Sequence, residues 1–257
     1  MLYCENETIK LYKGDCLEIM PQLDVKFDAC ITDPPYQTTA LEWDFVIPFE
    51  PMWKELNRLV DGSIVLFSSQ PFTTDLIQSN RKNFKYQMIW KKNVPTGMSL
   101  AKFRPMKYHE EVLVFSKKTD STYNPIMKER VGKGKECYNY NHYCGENNHL
   151  KQMKKIPKKY DPDFVQPSTV LEFDVVPNRN GKFHPTQKPV ELIEYLIKTY
   201  TKEGDIVLDF TAGSGTTGIA CMNTNRRCIL IEKEEKYCEV IVNRLKEVEN
   251  EKSQMLF

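Results

Sequence analysis

Apolar residues follow two rhythms along this chain. Short runs that are apolar at nearly every position occupy 27–32, 63–68, 86–90, 111–116, 205–209 and 227–231. Such runs predict strands covered on both faces, because a strand wet on one face alternates apolar with polar. Elsewhere the period is helical. Val190, Leu192, Ile193, Leu196, Ile197 and Tyr200 recur at helical spacing, with Pro189 at the first turn and Gly204 as the stop. From Glu234 the same pattern returns with Tyr237, Val240, Ile241, Leu245 and Val248. These stripes are core, and strands alternating with helices predict an α/β fold on a mostly parallel sheet. From 118 to 182 the rhythm lapses: Asn, Lys, Pro and Tyr dominate, and Tyr138-Asn139-Tyr140-Asn141-His142-Tyr143 interleaves aromatics with amides.

Two of the predicted strands run into unusual turns. The run 27–32 ends in Asp33-Pro34-Pro35-Tyr36. Two prolines fix their own φ and remove two backbone donors, so this turn presents acceptors: the Asp33 carboxylate and the Pro34 carbonyl. A planar exocyclic amine on a nucleobase has two N–H donors, which two such acceptors would orient. Tyr36 adds a face for stacking. Taken alone, the same four residues are equally well a stiff turn.

The run 205–209 leads into Phe210-Thr211-Ala212-Gly213-Ser214-Gly215-Thr216-Thr217-Gly218 and then a helical start at Ile219. Glycines there let the backbone turn tightly and approach a ligand. The next strand, 227–231, is followed by Glu232, an acidic side chain placed to take the hydroxyls of a ribose. A nucleoside-containing cofactor is expected. Gly213 to Gly218 also fits the G-x-G-x-x-G dinucleotide fingerprint, which leaves a nicotinamide enzyme as an alternative. Its position counts against that reading, since a Rossmann domain usually opens with this unit and here it lies in the last quarter.

Charge sharpens the choice of partner. The net charge of +1 over 257 residues is uninformative, but 81–159 holds 19 Lys+Arg against 6 Asp+Glu. Between Leu76 and His109 no acidic residue occurs. A middle third this basic reads as a phosphate footprint, with Lys91, Lys92, Lys102, Arg104 and Lys107 as its candidates. No run of 18 apolar residues occurs, and Met1 to Glu7 lacks a basic start followed by an apolar run, so a cytoplasmic protein without membrane contact is expected. The eight cysteines include no C-x-x-C, and disulfides are not expected. Cys137, His142, Cys144 and His149 match no common zinc spacing, so no metal is expected.

With these segments in view the chain resembles the S-adenosylmethionine-dependent amino-group DNA methyltransferases of the permuted type, in which the catalytic motif precedes the cofactor motif. The resemblance rests on five segments in order: Gly14-Asp15-Cys16, Asp33-Pro34-Pro35-Tyr36, His109 to Phe115, His184-Pro185-Thr186-Gln187-Lys188-Pro189, and Asp209 to Gly215. It implies a Rossmann-like α/β fold with a mixed, mostly parallel seven-stranded sheet flanked by helices. It also implies a catalytic half at 1–117, an inserted target recognition region at 118–182 and a cofactor-binding half at 183–257. The implied substrate is double-stranded DNA, and the cofactor is S-adenosylmethionine. A second copy of the chain and a cognate restriction endonuclease are the further partners that the resemblance suggests.

Roles follow position by position from the resemblance. Asp33, Pro34, Pro35 and Tyr36 would be catalytic, with Tyr36 stacking on an extruded base. Asp15, Asp209, Phe210, Ala212, Gly213, Ser214, Gly215, Thr216, Thr217 and Glu232 would surround the cofactor. Thr186 and Lys188 would add contacts to its methionine carboxylate. Tyr138, Tyr140 and Asn141 join the basic residues as DNA contacts, since amides read adenine edges and cations read guanine and phosphate. In similar proteins Asp in the first motif position accompanies adenine N6 and Ser accompanies cytosine N4, so adenine N6 is the expected acceptor. Cytosine N4 is the alternative, as is a DNA-binding relative without activity. A related turn in protein-glutamine methyltransferases starts with Asn, and Asp33 argues against that acceptor.

Overall fold

The computed structural model describes residues 1–37, 45–130, 163–177, 183–184 and 186–254. In chain order the strands are β1 (Leu2–Glu5), β2 (Ile9–Lys13), β3 (Phe27–Thr32), β4 (Val60–Ser68), β5 (Phe84–Thr96), β6 (Lys107–Phe115), β7 (Lys128–Glu129), β8 (Phe164–Val165), β9 (Val170–Glu172), β10 (Ile206–Asp209) and β11 (Arg227–Glu232). The α-helices are α1 (Cys16–Ile19), α2 (Phe49–Leu59), α3 (Phe72–Ser79), α4 (Val190–Tyr200), α5 (Thr216–Asn223) and α6 (Glu235–Gln254). Residues Met1–Asn124 and Thr169–Phe257 make one compact unit, and Pro125–Ser168 a second in which β7 and β8 pair antiparallel.

The first unit is built on one sheet in the order β1-β2-β11-β10-β3-β4-β6-β5-β9. Its centre, from β2 to β4, is parallel, and β6 runs antiparallel to both β4 and β5. All six runs of apolar residues form strands, and each central one sends alternate side chains to opposite faces. Val207 and Leu230 join a cluster with α4, α5 and α6, whereas Leu208 and Ile229 join a cluster with α1, α2 and α3. Both faces are therefore dry, which is why no polar alternation marks these strands.

The sheet has nine strands among the described residues, where seven were expected. β1 and β9, only four and three residues long, are the edges. Segments so short carry too few residues for a period to register. β5 extends well past its apolar run to Thr96, which pairs with Lys107 of β6 beyond an irregularity, and β9 pairs only with Ile89, Trp90 and Lys91, so Pro95 sits where no ladder bond to β9 is needed. Helix α5 starts at Thr216, three residues before the expected Ile219, directly off the glycine turn.

Candidate active site

Strands β3 and β10 are parallel neighbours, with Val207 beside Ala29 and Leu208 beside Cys30, so both sequence turns leave the same edge of the sheet. They are joined there by side chains. The Thr32 hydroxyl donates to Asp209 Oδ1 at 2.6 Å and lies 2.6 Å from the Thr211 hydroxyl. Thr211 Oγ1 donates to the Asp33 carbonyl at 3.1 Å, and its N–H donates to Asp209 Oδ1 at 3.1 Å. Thr32 precedes one motif and Thr211 lies within the other, each without a role of its own there, and only the pairing of the strands shows what they hold together. Burial pushes the Asp209 carboxyl up to about 6, with Thr217, Thr32 and Thr211 opposing the shift. Asp209 is thus chiefly a clamp between the two turns, although it also borders the cavity.

Beyond the clamp the glycine turn wraps back toward β11. Gly213 and Gly215 have φ of 53° and 76°. A Cβ at 215 would lie 2.8 Å from Ile241 of α6, so space as well as backbone conformation demands glycine. Glu232 accepts the Gly213 N–H at 2.7 Å through Oε2 and the Glu234 N–H at 2.8 Å through Oε1. Burial still raises its pKa to about 7. Asp15 caps α1 by accepting the Leu17 N–H at 2.9 Å, and the preceding Gly14 N–H donates to the Glu232 carbonyl at 2.9 Å. From below, buried Arg244 donates to the Ser214 carbonyl at 2.5 Å, with its guanidinium 5.1 Å from the Phe183 ring centre. Burial lowers the Arg244 pKa to about 10. Nothing in the polar side of α6 singled this arginine out.

Asp33 sits in a buried chain of charges. Tyr36 Oη donates to one of its oxygens and Lys188 Nζ to the other. Lys188 also lies 3.3 Å from Glu110 Oε2, and Glu110 in turn accepts from Lys92. Burial raises the Asp33 carboxyl above its ordinary range, against the pull of Lys188. Glu110 is lowered despite its burial, because Lys188 and Lys92 both face it. Burial would lower Lys188, but Asp33 and Glu110 more than offset that and raise it. The Tyr36 ring stacks on Phe72 at 5.3 Å between centroids.

Two of the expected contacts have protein partners at the cavity wall. The Lys188 ammonium lies against Asp33 and Glu110. Lys92, only 7% exposed, is paired with Glu110 and borders the same cavity. Glu110 has no role of its own in the sequence reading, although it lies in the His109 to Phe115 segment that carries part of the resemblance.

One cavity of about 790 Å³ is lined by Asp33, Pro34, Pro35 and Tyr36 together with Asp15, Thr186, Lys188, Asp209, Phe210, Ala212, Gly213, Ser214, Thr216, Thr217 and Glu232. Gly215 lies behind this wall against Ile241. Thr186 is turned toward His184, with its hydroxyl 3.1 Å from Nδ1, and the His184 ring packs on Tyr237 at 4.3 Å. Among the described residues no group of three or more His, Cys, Asp or Glu is arranged to hold a metal. No described helix is long and apolar enough to cross a membrane.

A family model described as DNA methylase matches residues 27–243, a span that contains both turns and the whole charged chain. This chain belongs to the DNA methylase family. The methylase is 33% identical over 276 aligned residues to the Type II methyltransferase M2.DpnII of Streptococcus pneumoniae, covering 97% of this chain and 93% of that one. Among solved structures it is similar to the M1.HpyAVI–SAM complex, with a TM-score of 0.63 and 28% identity over 92% of this chain and 98% of that one. The fold is also that of the cytosine-N4-specific PvuII DNA methyltransferase, with a TM-score of 0.64 at 16% identity, covering 95% of this chain and 92% of that one.

The basic residues of the methylase fall in different places. Arg104 and Lys107 border the cavity, and Lys107 lies 3.6 Å from Glu111. Lys91 is paired with Glu172 at 2.7 Å on the surface, and Lys102 is exposed. Tyr138, Tyr140 and Asn141 lie outside the described residues, as do Cys137, His142, Cys144 and His149.

Proposed function

We propose that this methylase transfers the methyl group of S-adenosylmethionine to the N6 amine of adenine in double-stranded DNA, extruding the base into the cavity. One observation carries the reading: the acceptor-rich Asp33 turn and the glycine turn share a wall and are tied to each other through Thr32 and Thr211.

The residues of the glycine turn fit the cofactor. At Gly213 a Cβ would meet nothing closer than the His184 ring at 3.8 Å, and the backbone there lies open to the cavity. Glu232 is an acceptor matched to a pair of ribose hydroxyls, and Asp15 borders the same space. When bound, S-adenosylmethionine supplies an activated methyl group, so the protein's task is to place a nucleophile in line with it. Asp33 accepts one N–H of the target amine and the Pro34 carbonyl the other, which turns the nitrogen lone pair toward the methyl group. Orientation of two reactants is worth several kcal/mol of barrier. Transfer would form the N–C bond as the sulfonium S–C bond breaks, leaving a neutral thioether, and the Asp33 carboxyl, which accepts an N–H of that amine and is raised by burial, would take the proton the nitrogen sheds. Tyr36 steadies Asp33 through its hydroxyl and offers the ring beside it to the base.

Asp in the first motif position supports adenine over cytosine, whereas the fold is common to both. Residues 118–182 are proposed as the region that reads the sequence, and the Type II names of the relatives support a place beside a cognate endonuclease. Plasmid incubated with labelled S-adenosylmethionine and digested to nucleosides tests the acceptor. Label in N6-methyladenine is the expected result. Label in N4-methylcytosine replaces the reading, and no label in DNA overturns it.

A further inference from the structure

β5 and β6 are joined by residues 97–106, a loop that closes on itself. Gly97 at φ 89° opens the turn Met98–Leu100, and the N–H groups of Phe103 and Arg104 both donate to the Leu100 carbonyl, at 2.9 and 3.1 Å. A loop folded so tightly has no interior, and its apolar side chains stand in water. Phe103 is 84% exposed, Met98 73% and Leu100 41%. The same loop contributes Gly97, Arg104 and Pro105 to the wall of the catalytic cavity. Large apolar side chains so exposed, at the rim of a polar site, mark a surface that becomes covered by a partner.

The chemistry of the flanks identifies that partner. Lys102 and Arg104 bracket Phe103 and are themselves exposed, and no acidic residue lies between Leu76 and His109. A partner with anions outside and flat apolar surfaces inside matches this arrangement. Duplex DNA is such a partner, with phosphates around stacked bases. Extruding a base also opens a gap in the stack at the mouth of the cavity, and an inserted ring can offset the lost stacking. We propose that Phe103 enters the gap left by the extruded base while Lys102 and Arg104 take the neighbouring phosphates. Phe103 would then be a positioning residue, holding the base in the cavity without touching it.

This inference rests on the methylation reading, and the test separates the two. Wild type, Phe103→Ala and Phe103→Trp are compared for methyl transfer to unmethylated plasmid, affinity for S-adenosylmethionine and indole fluorescence. Phe103→Ala should lose at least tenfold in kcat on plasmid, with cofactor affinity and thermal stability within the scatter of wild type, as suits a residue in water. Phe103→Trp should keep activity within about threefold, and its added indole emission should be quenched by plasmid as the ring stacks on bases. Full kcat in Phe103→Ala, or an unquenched indole in an active Phe103→Trp, overturns the wedge alone. Wild type that transfers no label to DNA overturns the methylation reading and the wedge with it. Capture of the protein by anionic phospholipid vesicles that Phe103→Ala abolishes, with methyl transfer unchanged, would assign the loop to a membrane and also overturn the wedge.

Discussion

At the level of single residues, Asp33 and Lys188 are inseparable. Asp33→Ala removes the acceptor of the target amine but none of the glycine turn, so methyl transfer should fall at least a hundredfold while calorimetric affinity for S-adenosylmethionine stays within about threefold. Lys188→Met should be worse for the fold. It leaves Asp33 and Glu110 facing each other without the ammonium between them, and breaking a buried pair in this way costs about 3–5 kcal/mol. Glu110 keeps Lys92, so adding Asp33→Asn to Lys188→Met removes the charge left without a cation and should recover part of the loss in denaturant melts. Glu232 sets a pH dependence of its own. Its pKa of about 7 lies above the ordinary 4.5, so the folded protein holds a proton that the unfolded chain has released. Its contribution to stability is present below about 4.5 and is lost as pH rises through 7. Cofactor affinity runs the opposite way, because the ionised carboxylate is the better acceptor for ribose hydroxyls. Binding should tighten between pH 6 and 8, and Glu232→Gln should flatten the profile.

At the scale of elements, the packing of α6 on the glycine turn is the most sensitive joint. Gly215→Ala forces a methyl group against Ile241 at a φ that favours glycine, and should destabilise by about 1–3 kcal/mol in thermal melts. Arg244→Met leaves the Ser214 carbonyl without its donor, and cofactor affinity should drop several-fold with little change in fold. These joints were illegible in the sequence, which shows what a residue is but not which turn it lies beneath. The strands of the sheet were legible, because burial on both faces writes itself as unbroken apolar runs such as Val207-Leu208 and Ile229-Leu230-Ile231. Three strands were not: β1 and β9 are set by pairing with a neighbour, and β2 is a five-residue stretch in which buried Ile9 and Leu11 flank exposed Lys10. The turns at Asp33 and Gly213 stood out because proline and glycine announce backbone constraint. Thr32, Thr211 and Glu110 did not, because threonine and glutamate in and beside strands are common, and the partners named for them here lie 177, 179 and 78 positions away along the chain.

For the whole molecule, the proposed phosphate contacts make affinity for DNA depend on salt. Replacing Lys102 and Arg104 by Gln should weaken plasmid binding across all sequences and reduce the slope of log affinity against log salt by about 2 in filter-binding titrations. A basic stretch could be seen in the sequence, but its division into surface cations such as Lys102 and buried partners such as Lys92 required the packing of β5 against β6.

The strand order carries one more consequence. β10 and β11, which arrive late in the chain, are seated between β2 and β3, which arrive early. During synthesis the growing polypeptide therefore waits with a slot open in its own sheet, its unsatisfied peptide groups available to any passing strand. A ribosome that stalls before residue 205 releases a product that should be captured by chaperones or precipitate. The two turns are thus brought together only after Glu232 has been made, when β10 and β11 slide home and set the glycine turn beside the waiting carboxylate.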